Sequence, residues 1–207
     1  MNKVDFKREL KHLYQPSGKA FALVDVPAMQ FLMIDGHGDP NKAQAYTDAV
    51  AALYAVAYKL KFASKQQLGQ DYTVLPLEGL WWADNPNSFT THRDKSEWDW
   101  TMMIMQPDWI TAEMMAEATA VVEKQKELPA LPLLRLESYH EGLCAQIMHT
   151  GSYEAEAPVL RRLHHEFMPA HGLTFNGKHH EIYLSDPRRV APEKLKTVLR
   201  QPVTQMP

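Results

Sequence analysis

Near the C-terminal end, His179, Glu181 and Tyr183 fall at two-residue spacing in Lys178-His179-His180-Glu181-Ile182-Tyr183-Leu184. Ile182, Tyr183 and Leu184 favour extended backbone. Asn176-Gly177 before them and Ser185-Asp186-Pro187 after them are turn residues. Side chains alternate along a strand. An imidazole, a carboxylate and a phenol therefore share one face, and His180, Ile182 and Leu184 share the other. If the first face turns inward, Glu181 is a buried charge that needs a partner or a cationic ligand. There it could hold a cation, or serve as acid or base on a bound electrophile. If it turns outward, the same residues are a solvated strand face, and Glu181 is tied to local backbone or to an arginine.

Flat aromatic surface is the natural complement to such a carboxylate. Trp81, Trp82, Trp98, Trp100, Tyr139 and Tyr183 could supply it, each contact contributing about 0.5–2 kcal/mol; the alternative is that the tryptophans are core. Glu78, in Pro76-Leu77-Glu78-Gly79-Leu80-Trp81-Trp82, is a second carboxylate candidate. Alternation forbids Trp81 and Trp82 from sharing a face: if Glu78 faces a cleft, so does Trp82. Met33, in the strand that starts at Met29, completes the candidate ligand-binding set. Glu181 and Tyr139 are the catalytic candidates.

Other chemistry is poorly supported. His164-His165 and His179-His180 suggest metal, but adjacent strand residues point to opposite faces, so each pair offers at most one ligand to a given site. His180-Glu181-Ile182-Tyr183-Leu184 fails the His-Glu-x-x-His zinc pattern at its last position. Ser152, Ser185 and Cys144 lack a nucleophile motif, and Gly36-His37-Gly38 has no phosphate-loop continuation. No metal and no cofactor are expected.

The chain has 207 residues, 45% hydrophobic and 23% charged, with a formal net charge of -3. That is a soluble globular composition with volume for a real core. No basic run with interleaved aromatics points to nucleic acid, and no apolar run is long enough for a membrane. Cys144 is the single cysteine, so no internal disulfide forms and a reducing compartment fits. Met1-Asn2-Lys3-Val4-Asp5 lacks the apolar core of a signal peptide. A cytoplasmic protein is expected. Its partner is a small aromatic or cationic ligand, and no motif specifies a protein partner.

The elements that must position these residues follow in order. Asp5 to Tyr14 reads as a short amphipathic helix. Phe21 to Val26 and Met29 to Asp35 read as strands around Pro27-Ala28. Asp39-Pro40 reads as a helix start, with Asp39 as cap. Tyr46, Val50, Leu53, Ala57 and Leu60 form the core stripe of that helix, and Tyr54 and Tyr58 beside it read as core packing. Tyr72 to Trp82 reads as a strand with Pro76 and Gly79 inside it, Asp84 to Ser88 as a loop, and Trp98 to Met105 as a strand. Thr111 caps a helix running to about Leu128. Leu128-Pro129-Ala130-Leu131-Pro132 reads as a linker. Beyond it, Leu134 to His140 and Leu143 to His149 read as a hairpin. A helix starts at Pro158, and a last short helix near Pro192 carries Leu195, Val198 and Leu199.

The two halves share an element order. Gly38 and Gly151, the helices after them, and then Glu78 and Glu181 serve as landmarks. The interval from glycine to glutamate is 40 residues in the first half and 30 in the second. The expected fold is α+β: one domain over residues 1–207, duplicated internally as a module over 20–128 and another over 133–207. Each module is strand-helix-strand-strand with an antiparallel sheet, and together they form a ligand cleft.

Several stretches in this order resemble a known family. They are Ile34-Asp35-Gly36-His37-Gly38-Asp39-Pro40, Pro76 to Trp82, Trp98-Asp99-Trp100-Thr101, His149-Thr150-Gly151-Ser152-Tyr153 and, above all, His179 to Arg189. The chain resembles the stand-alone GyrI-like small-molecule-binding proteins. Their relatives include the gyrase-inhibitory protein and the effector domains of multidrug-sensing transcription regulators. The resemblance covers nearly the whole chain. It implies two pseudo-symmetric modules and an aromatic-lined cleft, with a glutamate, here Glu181, set to meet cationic or polar aromatic compounds. It implies recognition or sequestration of such compounds or, as in some members, hydrolysis of strained cyclopropane rings in DNA-alkylating natural products. The 20 residues ahead of Phe21 hold no helix-turn-helix region, so the regulator function does not carry over.

Overall fold

The computed structural model describes residues 3–84 and 94–206, so most of the loop read over Asp84 to Ser88 lies outside the described residues. In chain order the strands are β1 (Lys3–Val4), β2 (Ala22–Val26), β3 (Met29–His37), β4 (Asp71–Tyr72), β5 (Leu77–Trp82), β6 (Asp99–Gln106), β7 (Arg135–Tyr139), β8 (Gly142–Thr150), β9 (Leu173–Phe175), β10 (His179–Tyr183) and β11 (Lys196–Gln205). The longer helices are α1 (Gln44–Ala63), α2 (Ala112–Glu123) and α3 (Ala157–Arg162). This is a mixed α+β chain with antiparallel sheet. It divides into two compact units, Met1–Phe6 with Met29–Tyr139 and Lys7–Ala28 with His140–Pro207.

In the first unit β5, β6, β3 and β7 pair antiparallel in that order. Ala49, Ala52, Leu53, Val56, Ala57 and Leu60 of α1 are fully buried, the i, i+3, i+4 stripe expected of a helix laid on a sheet. Tyr46, in the first turn of α1, sets its ring edge-on to Trp100 at 5.5 Å and stacks on Trp81 at 6.3 Å. Trp98 meets Trp81 at 5.8 Å. The sheet face under α1 therefore carries Trp81, Trp100 and Met102. Any Cβ at Gly36 would run into the Trp100 ring, which explains the glycine there. Alternation and register place Glu78, Leu80, Trp82, Thr101, Met103 and Met33 on the opposite face.

In the second unit β2, β8, β11 and β10 pair antiparallel, and β9 pairs with the end of β11. Ala145, Leu163, Met168, Leu173 and Val203 form the core on one face, with Phe21 and Phe167 against them. The same face carries His179, Glu181 and Tyr183, because Glu181 lies opposite Leu199 and Tyr183 opposite Thr197.

The other face holds a buried charge cluster. The Arg200 guanidinium donates from Nη1 to Glu141 Oε2 at 3.0 Å, from Nε to Gln146 Oε1 at 3.1 Å and from Nη2 to the Leu13 carbonyl at 2.8 Å. His180 Nδ1 lies 3.0 Å from Glu141 Oε1. Gln146 Nε2 donates to the His12 carbonyl at 2.6 Å, so the N-terminal helical turn Lys11–Tyr14 is tied in as well. Burial alone would push the Glu141 carboxyl up. The charge and hydrogen bond of His180, then those of Arg200, overcome it and hold the group at about 2.

Several sequence expectations are corrected. The last helix is a single turn, Pro192–Lys194, and Val198 and Leu199 lie on the ten-residue strand β11. A strand buried on both faces gives the same apolar spacing as a short helix. Leu134 to His140 and Leu143 to His149 make no hairpin with each other: β7 pairs with β3, and β8 with β2 and β11. The chain passes between the units at Phe6/Lys7, Ala28/Met29 and Tyr139/His140. Asp39 does not cap α1. It closes a turn of its own, accepting from Asn41 N–H at 3.0 Å, and the helix starts at Gln44. Thr111 does cap α2, accepting from Met114 N–H at 3.2 Å, but α2 ends at Glu123. Tyr72 to Trp82 splits into β4 and β5. Tyr58 is 52% exposed rather than core. Glu78 faces away from its own unit's helix, whereas Glu181 shares a face with its unit's helical core, so the two are not equivalent landmarks.

The buried cluster makes a direct prediction. Because Glu141 is depressed below its ordinary 4.5, its stabilisation is complete above pH 4.5 and is lost as the pH falls toward 2. Glu141→Gln leaves Arg200 buried without its counter-charge and is expected to cost about 3–5 kcal/mol at pH 7. Urea unfolding across pH 2–7 measures both effects. A loss under about 1 kcal/mol, or an unchanged acid dependence in the variant, contradicts the assignment.

Candidate functional site

The site grows from the centre of β10. Tyr183 O–H donates to Glu181 Oε2 at 2.8 Å, and His179 Nε2 lies 3.3 Å from Glu181 Oε1. The side chains of His179 and Glu181 keep only 10% and 16% of their exposure. Desolvation pushes the Glu181 carboxyl up, but His179, by contact and charge, and then the Tyr183 phenol outweigh it and hold the group below the ordinary 4.5. Glu181 is an ionised carboxylate in a sheltered place.

The turn after β8 brings in a second phenol. Gly151 has φ +146, and a Cβ there would sit 3.0 Å from His149 Nε2, so only glycine fits the bend without strain. His149 Nε2–H donates to the Ser152 carbonyl at 3.1 Å, and Gly151 N–H donates to the Leu195 carbonyl at 3.0 Å. The chain so folded sets the Tyr153 ring edge-on to Tyr183, centroids 5.7 Å apart. Burial, then the charges of Glu156 and Glu181, push the Tyr153 phenol up to about 12, so it remains a donor. Glu156, 3% exposed, adds a second sheltered carboxylate.

Histidines complete the surroundings. Burial, then the charges of His179 and His165, lower His164 to about 4, so it is neutral at pH 7. His179 Nδ1, His164 Nε2 and Thr197 Oγ1 are buried and make no hydrogen bond among the described residues. Buried polar groups of this kind are costly to leave unmet, and several together mark a place built for polar chemistry. Among the described residues no group of three or more histidine, cysteine, aspartate or glutamate side chains is arranged to hold a metal ion. A sheltered carboxylate with a phenol donor can orient a water molecule and take its proton, or hold a cation.

Of the residues nominated by sequence, the structure brings Glu181 and Tyr183 into contact. It gathers Trp81, Trp98 and Trp100 into the core of the first unit, at 5%, 9% and 0% exposure. Trp82 is half-buried on the Glu78 side of β5. Glu78 is fully buried opposite Met103, and Met33 is 3% exposed on the same face. Tyr139 ends β7 opposite Met29. Sequence reasoning did not nominate Tyr153, Glu156 or His164. The available signal was Gly151-Ser152-Tyr153, where a glycine turn follows a strand that ends in His149-Thr150.

A family model described as a GyrI-like small molecule binding domain matches residues 20–204. The chain is similar to an uncharacterized conserved protein from Listeria innocua at 41% identity and a TM-score of 0.89, with 98% of this chain and 100% of that one covered. It is similar to a hydrolase from Listeria innocua at 40% identity and a TM-score of 0.87, with the same coverage. The EcmrR C-terminal domain shares the fold alone, at 9% identity and a TM-score of 0.58 over 90% of this chain and 98% of that one. No curated protein matches. With its family model covering nearly the whole length, the chain belongs to the GyrI-like small-molecule-binding domain family.

Proposed function

We propose that the chain binds a small amphipathic aromatic compound beside Glu181 and hydrolyses it, adding water to a strained electrophilic ring of the cyclopropane type. The observation that carries this reading is the ionised Glu181 carboxylate, sheltered from solvent and held by the Tyr183 phenol at 2.8 Å. Glu181 takes a proton from water as the water oxygen bonds to a ring carbon. One ring carbon–carbon bond breaks, and its electron pair moves into the conjugated system of the substrate. The proton returns there from Glu181, so the product is substrate plus one water. Tyr183 keeps the carboxylate oriented, and Tyr153 and Tyr183 offer aromatic surface to the substrate. Similarity to proteins described as hydrolases at 40% and 39% identity supports the reading.

A second reading is sequestration without turnover, with Glu181 meeting a cationic aromatic compound. It is favoured by the same sheltered negative charge, which attracts cations more strongly than it would in bulk water.

Incubation with a cyclopropane-bearing alkylator, followed by mass spectrometry, separates the two. Hydrolysis adds the mass of one water, and Glu181→Gln lowers the rate by about 10²-fold or more. Binding without mass gain, under excess protein, leaves sequestration as the function. Tyr139→Phe in the same assay tests the other nominated phenol. It lowers the rate if Tyr139 takes part and leaves it unchanged if not.

Acidity gives a further check. Glu181 lies below its ordinary 4.5, so its active, ionised form survives as the pH falls and is lost only below 4.5. The acid limb of the hydrolysis rate, with folding followed in parallel, is expected below pH 4.5. A limb centred at pH 6 contradicts the assignment.

A further inference from the structure

The first unit carries a second concave surface, formed by α1 and the segment from α2 through Leu128. It is a groove of about 530 Å³ with Tyr54, Tyr58 and Phe62 of α1 along one side and Val122 in the other wall. Ala51 and Ala55 also line it and keep it open by their small size. The three aromatics stand at i, i+4, i+8, a second stripe beside the core stripe of the helix. Tyr58 and Phe62 are 52% and 50% exposed, and the Tyr54 and Tyr58 rings lie 6.3 Å apart. Core packing therefore does not account for this stripe.

Lys59 and Lys126 line the same groove, and no acidic side chain does. Neither lysine takes part in an ion pair among the described residues, while Lys61 and Lys65 nearby in the chain are held by Asp71 at 3.1 and 3.3 Å. The chain as a whole carries a formal net charge of -3, so a cationic, aromatic groove without acid runs against its balance. The volume falls in the range of small-molecule sites, roughly 300–1,000 Å³.

We propose that this groove is a binding site for a free amphipathic anion, a flat aromatic body bearing one carboxylate or sulfonate. The rings of Tyr54, Tyr58 and Phe62 receive the body, and Lys59 and Lys126 receive the charge. The site is opposite in sign to the Glu181 site and independent of the function proposed there.

The probe is 1-anilinonaphthalene-8-sulfonate, with N-phenyl-1-naphthylamine as the same ring system without the charge. Fluorescence titration of the full chain should show saturable one-to-one binding of the sulfonate. Lys59→Glu, at a half-buried position, with Lys126→Glu, at an exposed one, should weaken it about tenfold, and Tyr58→Ala should weaken it as well. The neutral probe should not respond to the charge reversal, and Glu181→Gln should leave sulfonate binding unchanged. Four outcomes overturn the proposal: no saturable binding, indifference to the charge reversal, loss of sulfonate binding in Glu181→Gln, or a charge reversal that changes the sedimenting mass of the chain instead of the affinity. The last outcome makes the groove a contact between copies.

Discussion

The second unit depends on a buried set of charges behind β10. Arg200 donates to Glu141 and Gln146, and His180 lies against Glu141, all on one face of the sheet. Their geometry fixes which residue of β10 lies opposite which residue of β11, with His180 against Arg200 and therefore Glu181 against Leu199. A slip of one residue would turn every side chain of β10 to the other face. It would carry the Glu181 carboxylate in among the charges around Arg200 and take it away from Tyr153. A guanidinium with three satisfied directions does not tolerate such a slip, because each lost bond leaves a buried polar group unmet. The cluster does no chemistry of its own. It aims the residue that does.

On the opposite face the physics differs. Among the described residues no lysine or arginine pairs with Glu181. Its charge is kept by a phenol and an imidazole, which leaves it ionised and still able to accept a proton. Tyr153 reaches the same face only because Gly151 adopts a backbone conformation that other residues rarely do. Strand alternation, one glycine turn and the charge cluster together build the site from three separate stretches of chain.

Much of this was legible in the sequence. The His179-Glu181-Tyr183 face followed from alternation, and the α+β class and most strands followed from apolar patterning and turn residues. Thr111 was a true cap. The errors have common causes. The apolar spacing of Leu195, Val198 and Leu199 reads as a short helix because a strand buried on both faces loses its alternation, and Arg200, the anchor of the sheet, stays hidden with it. Two adjacent strands suggest a hairpin, but sequence spacing does not say which partner a strand chooses. Element order pairs Glu78 with Glu181, yet a shift of one residue along a strand reverses the face. Tyr58 shows the limit of helical periodicity, which marks an apolar stripe without saying whether anything covers it.

The chemistry proposed for β10 requires that Glu181 be held ionised by Tyr183 and His179. Carbon-13 NMR of the glutamate side-chain carboxyls, with Glu181 assigned from Glu181→Gln, observes it directly. The Glu181 resonance should titrate only below pH 4.5, and Tyr183→Phe should move that titration upward. A Glu181 carboxyl that titrates above pH 4.5, or one indifferent to Tyr183→Phe, would contradict it.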